Sequence, residues 1–196
     1  MKKYFILFFF CFSIFSCEKP KYTIIPNVSN IQGKKTGIHS VYYDKSQWKI
    51  EKNYNYFKCT PNNFKIDINI NTFFNQYIEK YLNSNFINVI FFEEPMTLDK
   101  FNESDFDTYI EIKKKNAFVK FSYDGDISKF FIKLDGSVSL LDKKGGEFKS
   151  SIYAEGIGKK ENFFNCDPKI TAKIAYENAL SKFLSLIFKK INTFIG

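Results

Sequence analysis

The chain has 196 residues, and its 29 basic side chains are all Lys, against 21 acidic ones, which gives a formal net charge of +8. With 44% hydrophobic and 19% aromatic residues it can build a core, so a disordered, collagen-like or coiled-coil protein is excluded. The length suits one domain, and a single His and a single Trp leave few residue types for metal binding or catalysis.

The first sixteen residues have the features of a cleaved signal peptide. Lys2 and Lys3 precede an almost wholly apolar run over residues 4–15, and a polar segment follows. This run of about twelve residues is too short for a bilayer-spanning helix, which needs roughly twenty. Residues 1–16 are therefore left out of the predicted fold.

The end of this segment carries a second signal. Ile14-Phe15-Ser16-Cys17 resembles the lipobox of bacterial lipoprotein precursors, in which a small residue precedes the cysteine that receives diacylglycerol. The resemblance implies cleavage between Ser16 and Cys17, and thioether-linked diacylglycerol with an N-acyl chain on Cys17. Acyl chains of this kind anchor a protein to a membrane without spanning it. The alternatives are an ordinary secretory signal in which Cys17 is incidental, or cleavage at another small residue such as Ser13.

Export and charge together limit the partners. Removal of residues 1–16 leaves 27 basic and 21 acidic side chains, a net charge of +6, which suits a surface beside anionic headgroups. Nucleic acid is not expected, because the chain is exported and has no Arg for bidentate contacts to guanine. The expected location is the bacterial envelope, at the periplasmic face or in the outer membrane.

Two cysteines remain after the signal peptide and the lipid acceptor are set aside. Cys59 and Cys166 are an even pair in an exported chain, which favours a disulfide across a loop of about a hundred residues. Two buried free thiols or a thiol-reactive site are the alternatives. The chain has no Cys-x-x-Cys, and only His39 could join a metal set, so neither a metal site nor a cofactor is expected.

Residues 17–37 are predicted to be the lipidated cysteine and a tether with at most one short strand, because Pro and Gly recur there. Residues 38–196 form a single domain. Its first part contains extended residues 40–50 and an alternating strand at 64–70. An amphipathic helix then runs from Asn71 or Thr72 to about Asn85, with an apolar stripe formed by Phe73, Phe74, Tyr77, Ile78, Tyr81 and Leu82.

The second part contains more β-structure and a long helix. A short strand at 89–92 and a polar stretch at 97–105 precede three β segments, which are Asp107–Tyr123, Ile127–Leu141 and Glu147–Gly158. Turns are predicted at 124–126 and 142–146, and the last helix begins with the N-cap Asp167 and Pro168 and runs to about Thr193. The predicted fold class is α+β, a mainly antiparallel sheet with two helices packed on one face.

The order of these elements is similar to that of small bacterial envelope lipoproteins. The features that carry the resemblance are the Asp-x-Tyr strand at Asp107 and Tyr109, the turn at 142–145 and the alanine-dotted last helix. Such proteins include the auxiliary lipoproteins of ABC transporters and the lipopolysaccharide-assembly lipoproteins. The resemblance implies an accessory or assembly role in a larger membrane complex with an envelope protein partner, and it provides no catalytic residue.

No sequence motif for catalysis was found. The chain lacks a Gly-x-Ser-x-Gly elbow and a P-loop, and His39 is expected at the surface. The pairs at 105–107 and 124–126 could hold a divalent cation but fit turns better, and the acidic residues between 93 and 105 fit a solvated loop better than a glycosidase pair.

Two further patterns in the sequence allow more than one interpretation. The runs Lys113–Lys115 and Lys143–Lys144 could contact lipid headgroups or acidic glycans, but fit solvated turns and edge-strand protection better. Adjacent Phe pairs at 91–92, 130–131 and 163–164 leave one ring of each pair off the core. That ring faces a second layer of the protein, a partner subunit or an acyl chain, or the pairs simply reflect the Phe-rich composition.

The sequence therefore predicts a lipid-anchored, non-enzymatic envelope lipoprotein that is an accessory component of a membrane complex. The alternative is a surface-exposed lipoprotein that binds an external ligand or host molecule. A third hypothesis, a carboxylate-dependent envelope enzyme, would use Asp105, Asp107, Asp124 and Asp126.

Overall fold

The computed structural model describes residues 33–54, 70–124, 127–161 and 168–196. The elements in chain order are β1 (Lys35–Tyr43), β2 (Lys49–Tyr54), α1 (Ile70–Asn85), β3 (Phe86–Phe92), α2 (Leu98–Glu103), β4 (Thr108–Asp124), β5 (Ile127–Asp142), β6 (Glu147–Glu161) and α3 (Pro168–Ile195). Cys17, Cys59 and Cys166 lie outside the described residues, and so does the predicted strand at 64–69.

The strands form one mixed sheet. Its order is β3-β1-β4-β5-β6, and β2 pairs with β4 alongside this path. β1 is parallel to both β3 and β4, and β2 is parallel to β4, whereas β4, β5 and β6 form an antiparallel meander. The meander was predicted correctly, but the sheet is not purely antiparallel, since the strand pairs in its other half are parallel. There the connections through α1 and α2 are long enough to return the chain in the same direction.

The two long helices were predicted with small errors at their ends. Ile70 was assigned to a strand, but it is the first residue of α1, because the buried series Ile70, Phe74, Ile78 and Leu82 repeats every four residues. α1 ends at Asn85 as predicted. Phe73, which belonged to the predicted apolar stripe, is 41% exposed.

The polar stretch before β4 contains a helix that was not predicted. α2 is a single short helix whose N-cap is Thr97, and the Thr97 hydroxyl accepts a hydrogen bond from the backbone N–H of Lys100 at 3.4 Å. Its only buried side chain is Phe101, whose ring centroid is 6.3 Å from that of Tyr109. One buried residue does not produce a detectable hydrophobic period, so periodicity could not predict this helix.

One face of the meander carries the core. In β5, even-numbered residues from Ser128 to Leu140 are buried, while the odd-numbered residues between them are partly exposed. α3 crosses the buried face very closely, because glycines replace side chains there. A Cβ atom on Gly156 would lie 1.9 Å from the Ala175 carbonyl oxygen, and one on Gly158 would lie 1.9 Å from the Thr171 carbonyl oxygen.

Aromatic rings from both long helices meet in the core. The ring of Phe74 in α1 is 6.2 Å from that of Phe183 in α3. Trp48 contacts both rings edge-on, at centroid distances of 6.2 and 5.3 Å. Within the described part of the chain, no helix is both long and apolar enough to cross a membrane.

Candidate functional site

His39 is buried, contrary to the expectation of a surface residue. Its Nε2 donates to the Thr36 carbonyl oxygen at 3.1 Å, and its Nδ1 is 2.7 Å from the Thr108 hydroxyl, which therefore donates to it. Burial lowers the pKa of His39. The prediction was wrong because β1 is not an edge strand but lies between β3 and β4. His39 is a neutral residue that joins two strands.

The carboxylates singled out in the sequence are spread over the surface. Asp107 Oδ2 accepts a hydrogen bond from the backbone N–H of Ile38 at 2.7 Å, and the Asp107 N–H donates to the Ile38 carbonyl oxygen at 2.8 Å. This pair of bonds attaches the start of β1 to the start of β4. Glu93 forms an exposed ion pair with Lys45. No group of three or more His, Cys, Asp or Glu among the described residues is placed to hold a metal ion.

Gly37 makes the close approach of Asp107 possible. Gly37 has a φ of +104°, and a Cβ atom there would lie 2.8 Å from Asp107 Oδ2. Asp105, two residues before Asp107 in the chain, is exposed. Of the other predicted pair, Asp124 ends β4, while its side chain and the whole of Asp126 lie outside the described residues.

The predicted glycine turn between β5 and β6 is confirmed. Asp142 Oδ1 accepts hydrogen bonds from the backbone N–H groups of Lys144 and Gly146, both at 2.8 Å, and Gly145 has a φ of +83°. Lys143 was expected in a solvated turn, but it also contacts the protein. Its Nζ donates a hydrogen bond to the Asn102 carbonyl oxygen at 2.9 Å. This contact connects the turn to α2.

Lys114 is the largest departure from the sequence analysis. The Lys113–Lys115 run was expected in a solvated turn or edge strand, but it lies inside β4, where the register with β5 shifts between Lys114 and Ala117. Lys114 continues the buried series of Ile110 and Ile112 and is only 8% exposed, and after the shift burial passes to the odd-numbered residues from Ala117. Lys113 forms an ion pair with Glu111 at the surface.

The ammonium group of Lys114 connects three parts of the fold. Its Nζ donates to Asn71 Oδ1 at 3.0 Å and to the Ser46 carbonyl oxygen, and it lies 5.1 Å from the ring centroid of Phe74. Burial lowers the pKa of Lys114 to about 8, although Asp44 opposes this shift. A lowered lysine pKa can indicate a nucleophile, but here the donors are directed at protein groups. The contacts indicate a structural role.

Replacement of Lys114 by Met should change how stability depends on pH. The pKa of Lys114 is about 8 in the folded protein and ordinarily 10.5, so between these values the unfolded chain binds more protons and the free energy of unfolding rises with pH. From pH 7.5 to 9.5, we expect wild type to gain about 1 kcal/mol over Lys114→Met, after allowance for solvent screening. Urea unfolding at both pH values measures this gain. The exposed neighbour is the control, since Lys115→Met should give curves parallel to wild type, and parallel curves for Lys114→Met would contradict the shift.

Among the described strands, β3 is an edge of the sheet that carries no protecting charge. Its seven residues include no charged side chain, and Ile87 and Ile90 are 55% and 44% exposed. Among the described strands its only hydrogen-bonded neighbour is β1. Proteins usually protect such edges with Lys, Pro or bulges, because free backbone N–H and C=O groups bind other strands. β3 therefore has the properties of a docking site for a strand.

The opposite edge, β6, is protected. Asn178 Nδ2 donates to the Ile157 carbonyl oxygen at 3.2 Å, and Lys182 Nζ donates to the Glu155 carbonyl oxygen at 3.1 Å. β6 also carries lysines, at positions 149, 159 and 160. Of the two edges formed by the described strands, β3 is therefore the one without such protection.

Most rings of the adjacent Phe pairs find contacts within the chain. Phe91 packs against Tyr43, with centroids 6.0 Å apart, and Phe92 packs against Phe106 at 5.6 Å. Phe131 lies on the face of the sheet opposite Phe130, 6.4 Å from the ring of Phe118. A second layer of the same protein thus accounts for the pair at 91–92, while the pair at 163–164 lies outside the described residues.

Comparison with known proteins gives distant structural similarity. No protein-family model and no curated protein matches the chain. A Xanthomonas campestris protein of the family DUF330 is 11% identical, with a TM-score of 0.43 over 87% of this chain and 95% of that one. A candidate lipoprotein from Caulobacter crescentus is 12% identical, with a TM-score of 0.34 over 74% and 86%. A lipoprotein from Neisseria meningitidis is 10% identical, with a TM-score of 0.25 over 79% and 98%. TM-scores below 0.5 do not establish a common fold.

Proposed function

We propose that this protein is a lipid-anchored, non-enzymatic envelope lipoprotein that binds a strand of a partner protein along β3, as an accessory or assembly component of a larger membrane complex. The membrane address is supported by the order of Lys2 and Lys3, the apolar run, and Ser16-Cys17. A role without catalysis is supported by His39 and Asp107, whose polar atoms serve to join strands.

The observation that carries the docking role is the uncharged, exposed edge of β3. In strand addition, the backbone hydrogen bonds of the edge provide affinity, and alternate side chains provide specificity. Ile87 and Ile90 offer apolar contacts, and no like charge repels an approaching strand. The expected occupant is an extended, apolar and uncharged segment of an envelope protein.

Charges placed on β3 should remove this binding. The double variant Ile87→Lys with Ile90→Lys should recover at least about tenfold less partner, because two ammonium groups would be desolvated at the new strand pair. The measurement is photo-crosslinking in living cells from a photoreactive residue at Asn88, which is exposed on β3, followed by mass spectrometry of the crosslinked peptides.

A matched control separates docking at β3 from a general effect of charge. Tyr153 and Ile157 are 56% and 50% exposed on β6, so Tyr153→Lys with Ile157→Lys adds the same charge at similar exposure. This control should retain the partner. Equal recovery with the β3 variant, or crosslinks only to a second copy of the chain, would contradict the proposal. Removal of the protein by protease from intact cells would favour the surface-exposed alternative.

A further inference from the structure

An apolar groove runs between the C-terminal end of α3 and the start of β6. Its volume is about 500 Å³, and the residues that line it are Phe148, Leu186, Lys189, Lys190, Thr193 and Phe194. The rings of Phe148 and Phe194 are 6.3 Å apart, and Leu186 is 38% exposed at the groove. Lys190 Nζ lies 5.6 Å from the ring centroid of Phe148. Apolar surface and ammonium groups therefore lie side by side.

Further lysines surround this end of the molecule. Lys34 Nζ donates to the Asn83 carbonyl oxygen at the end of α1, and a Cβ atom on Gly196 would lie 3.5 Å from Lys35 Nζ. The last nineteen residues of the chain, 178–196, contain no acidic side chain. Glu147 is the acidic residue that neighbours Phe148, and it forms an ion pair with Lys149 at 2.8 Å. The charged side chains that line the groove itself are both positive, Lys189 and Lys190.

The first described residues of the chain lie at the same end of the domain as the groove. The described structure begins at Gly33, and β1 starts two residues later at Lys35. Lys35 lies beside Gly196, which follows the last turn of α3 at the groove. Fifteen residues separate Gly33 from Cys17, and even when fully extended they span at most about 54 Å. A lipid on Cys17 would thus keep this end at high effective concentration near the bilayer.

We infer that the surface formed by the groove residues with Lys34 and Lys35, here called the basal surface, lies on an anionic lipid bilayer. Leu186 and Phe194 insert at the boundary between headgroups and acyl chains, while the lysines contact headgroup phosphates. The inference rests on the proposed lipid anchor and adds the orientation of the domain on its membrane. In that orientation β3 begins at the membrane-proximal end, because its first residue pairs with Lys35.

The test uses the lipidated protein in vesicles whose lipids carry bromine on their acyl chains. Trp48 is the only native tryptophan and is 5% exposed, so bromolipids should leave its fluorescence unchanged. In Leu186→Trp, vesicles that contain phosphatidylglycerol should lower the fluorescence of the added tryptophan about twofold relative to unbrominated vesicles. The matched control is Ile157→Trp, an exposed position near the other end of β6, where no quenching is expected.

Reversing the charge of the groove lysines tests their contact with the headgroups. In the Leu186→Trp protein, the double change Lys189→Glu with Lys190→Glu should abolish the quenching. The control, Lys120→Glu with Lys159→Glu, makes the same change in charge away from the groove and should leave the quenching unchanged. Protein that floats with the vesicles but shows equal signals at positions 186 and 157 overturns the inference and leaves the anchor intact. Protein that does not float overturns the proposed function, and the inference with it.

Discussion

The variant Gly156→Ala should be less stable than wild type by about 3 kcal/mol, although the change adds only one methyl group. The added carbon would lie 1.9 Å from the Ala175 carbonyl oxygen and 2.5 Å from the Ala179 nitrogen. Both are backbone atoms of α3, so no side-chain rotation relieves the overlap, and the helix must move away from β6. We expect this loss in urea unfolding followed by circular dichroism.

The sign of the change makes the measurement decisive. In an ordinary strand position, replacement of Gly by Ala stabilises a protein, because Gly loses more conformational freedom on folding. A control at an exposed position of the same strand, Ser151→Ala, should change stability by less than about 0.5 kcal/mol. A Gly156→Ala protein as stable as wild type would show that α3 does not lie against β6 as described.

Patterns that repeat along one element were predictable from sequence. The alternation in β5 and the four-residue series in α1 each follow from one face being buried, so both elements were found with errors of one or two residues. The Asp142 turn was found for a local reason, since a carboxylate that accepts nearby backbone N–H groups needs only its sequence neighbours. Local chemistry and burial on one face therefore explain what the sequence could predict.

Strand neighbours were not predictable, because alternation does not specify which strand lies next to which. The position of β1 between β3 and β4 determines that His39 is buried and that the sheet is mixed. It also places β3 at an edge, so the candidate docking site was recognised as a strand in the sequence but not as an edge. Lys114 escaped detection because the buried positions of β4 change from even to odd numbers between Lys114 and Ala117, so no single alternation describes the whole strand.

The role of two glycines in β6 in helix packing could not be predicted from the sequence alone. In the sequence, Gly156 and Gly158 lie at the end of the predicted strand Glu147–Gly158, and the last helix is dotted with alanines. Together they form one contact, in which small residues let the two backbones approach. Periodicity describes each partner separately, so the complementarity is visible only when both elements are in place.

Replacement of Cys17 by Ala should abolish lipidation completely. The lipobox resemblance assigns the diacylglycerol to the sulfur of Cys17 and the further acyl chain to the amino group of the same residue, and Ala has no group that can form the thioether. In cells fed an alkyne analogue of palmitate, wild type should be labelled, whereas Cys17→Ala should carry no label. The variant should also keep residues 1–16, which mass spectrometry of the purified protein detects, because the lipobox that implies this cleavage includes Cys17.

Cys11→Ala is the matched control, since Cys11 lies in the apolar run six residues before Cys17. This variant should be labelled and processed like wild type, because one small apolar side chain replaces another within the signal peptide. Equal labelling of wild type and Cys17→Ala would place the lipid elsewhere. Cleavage and release of an unlabelled Cys17→Ala chain, with wild type also unlabelled, would identify an ordinary secretory signal. In that case the protein would be secreted without an anchor, and no bilayer would orient its domain. A partner strand could then bind β3 only on the secreted protein.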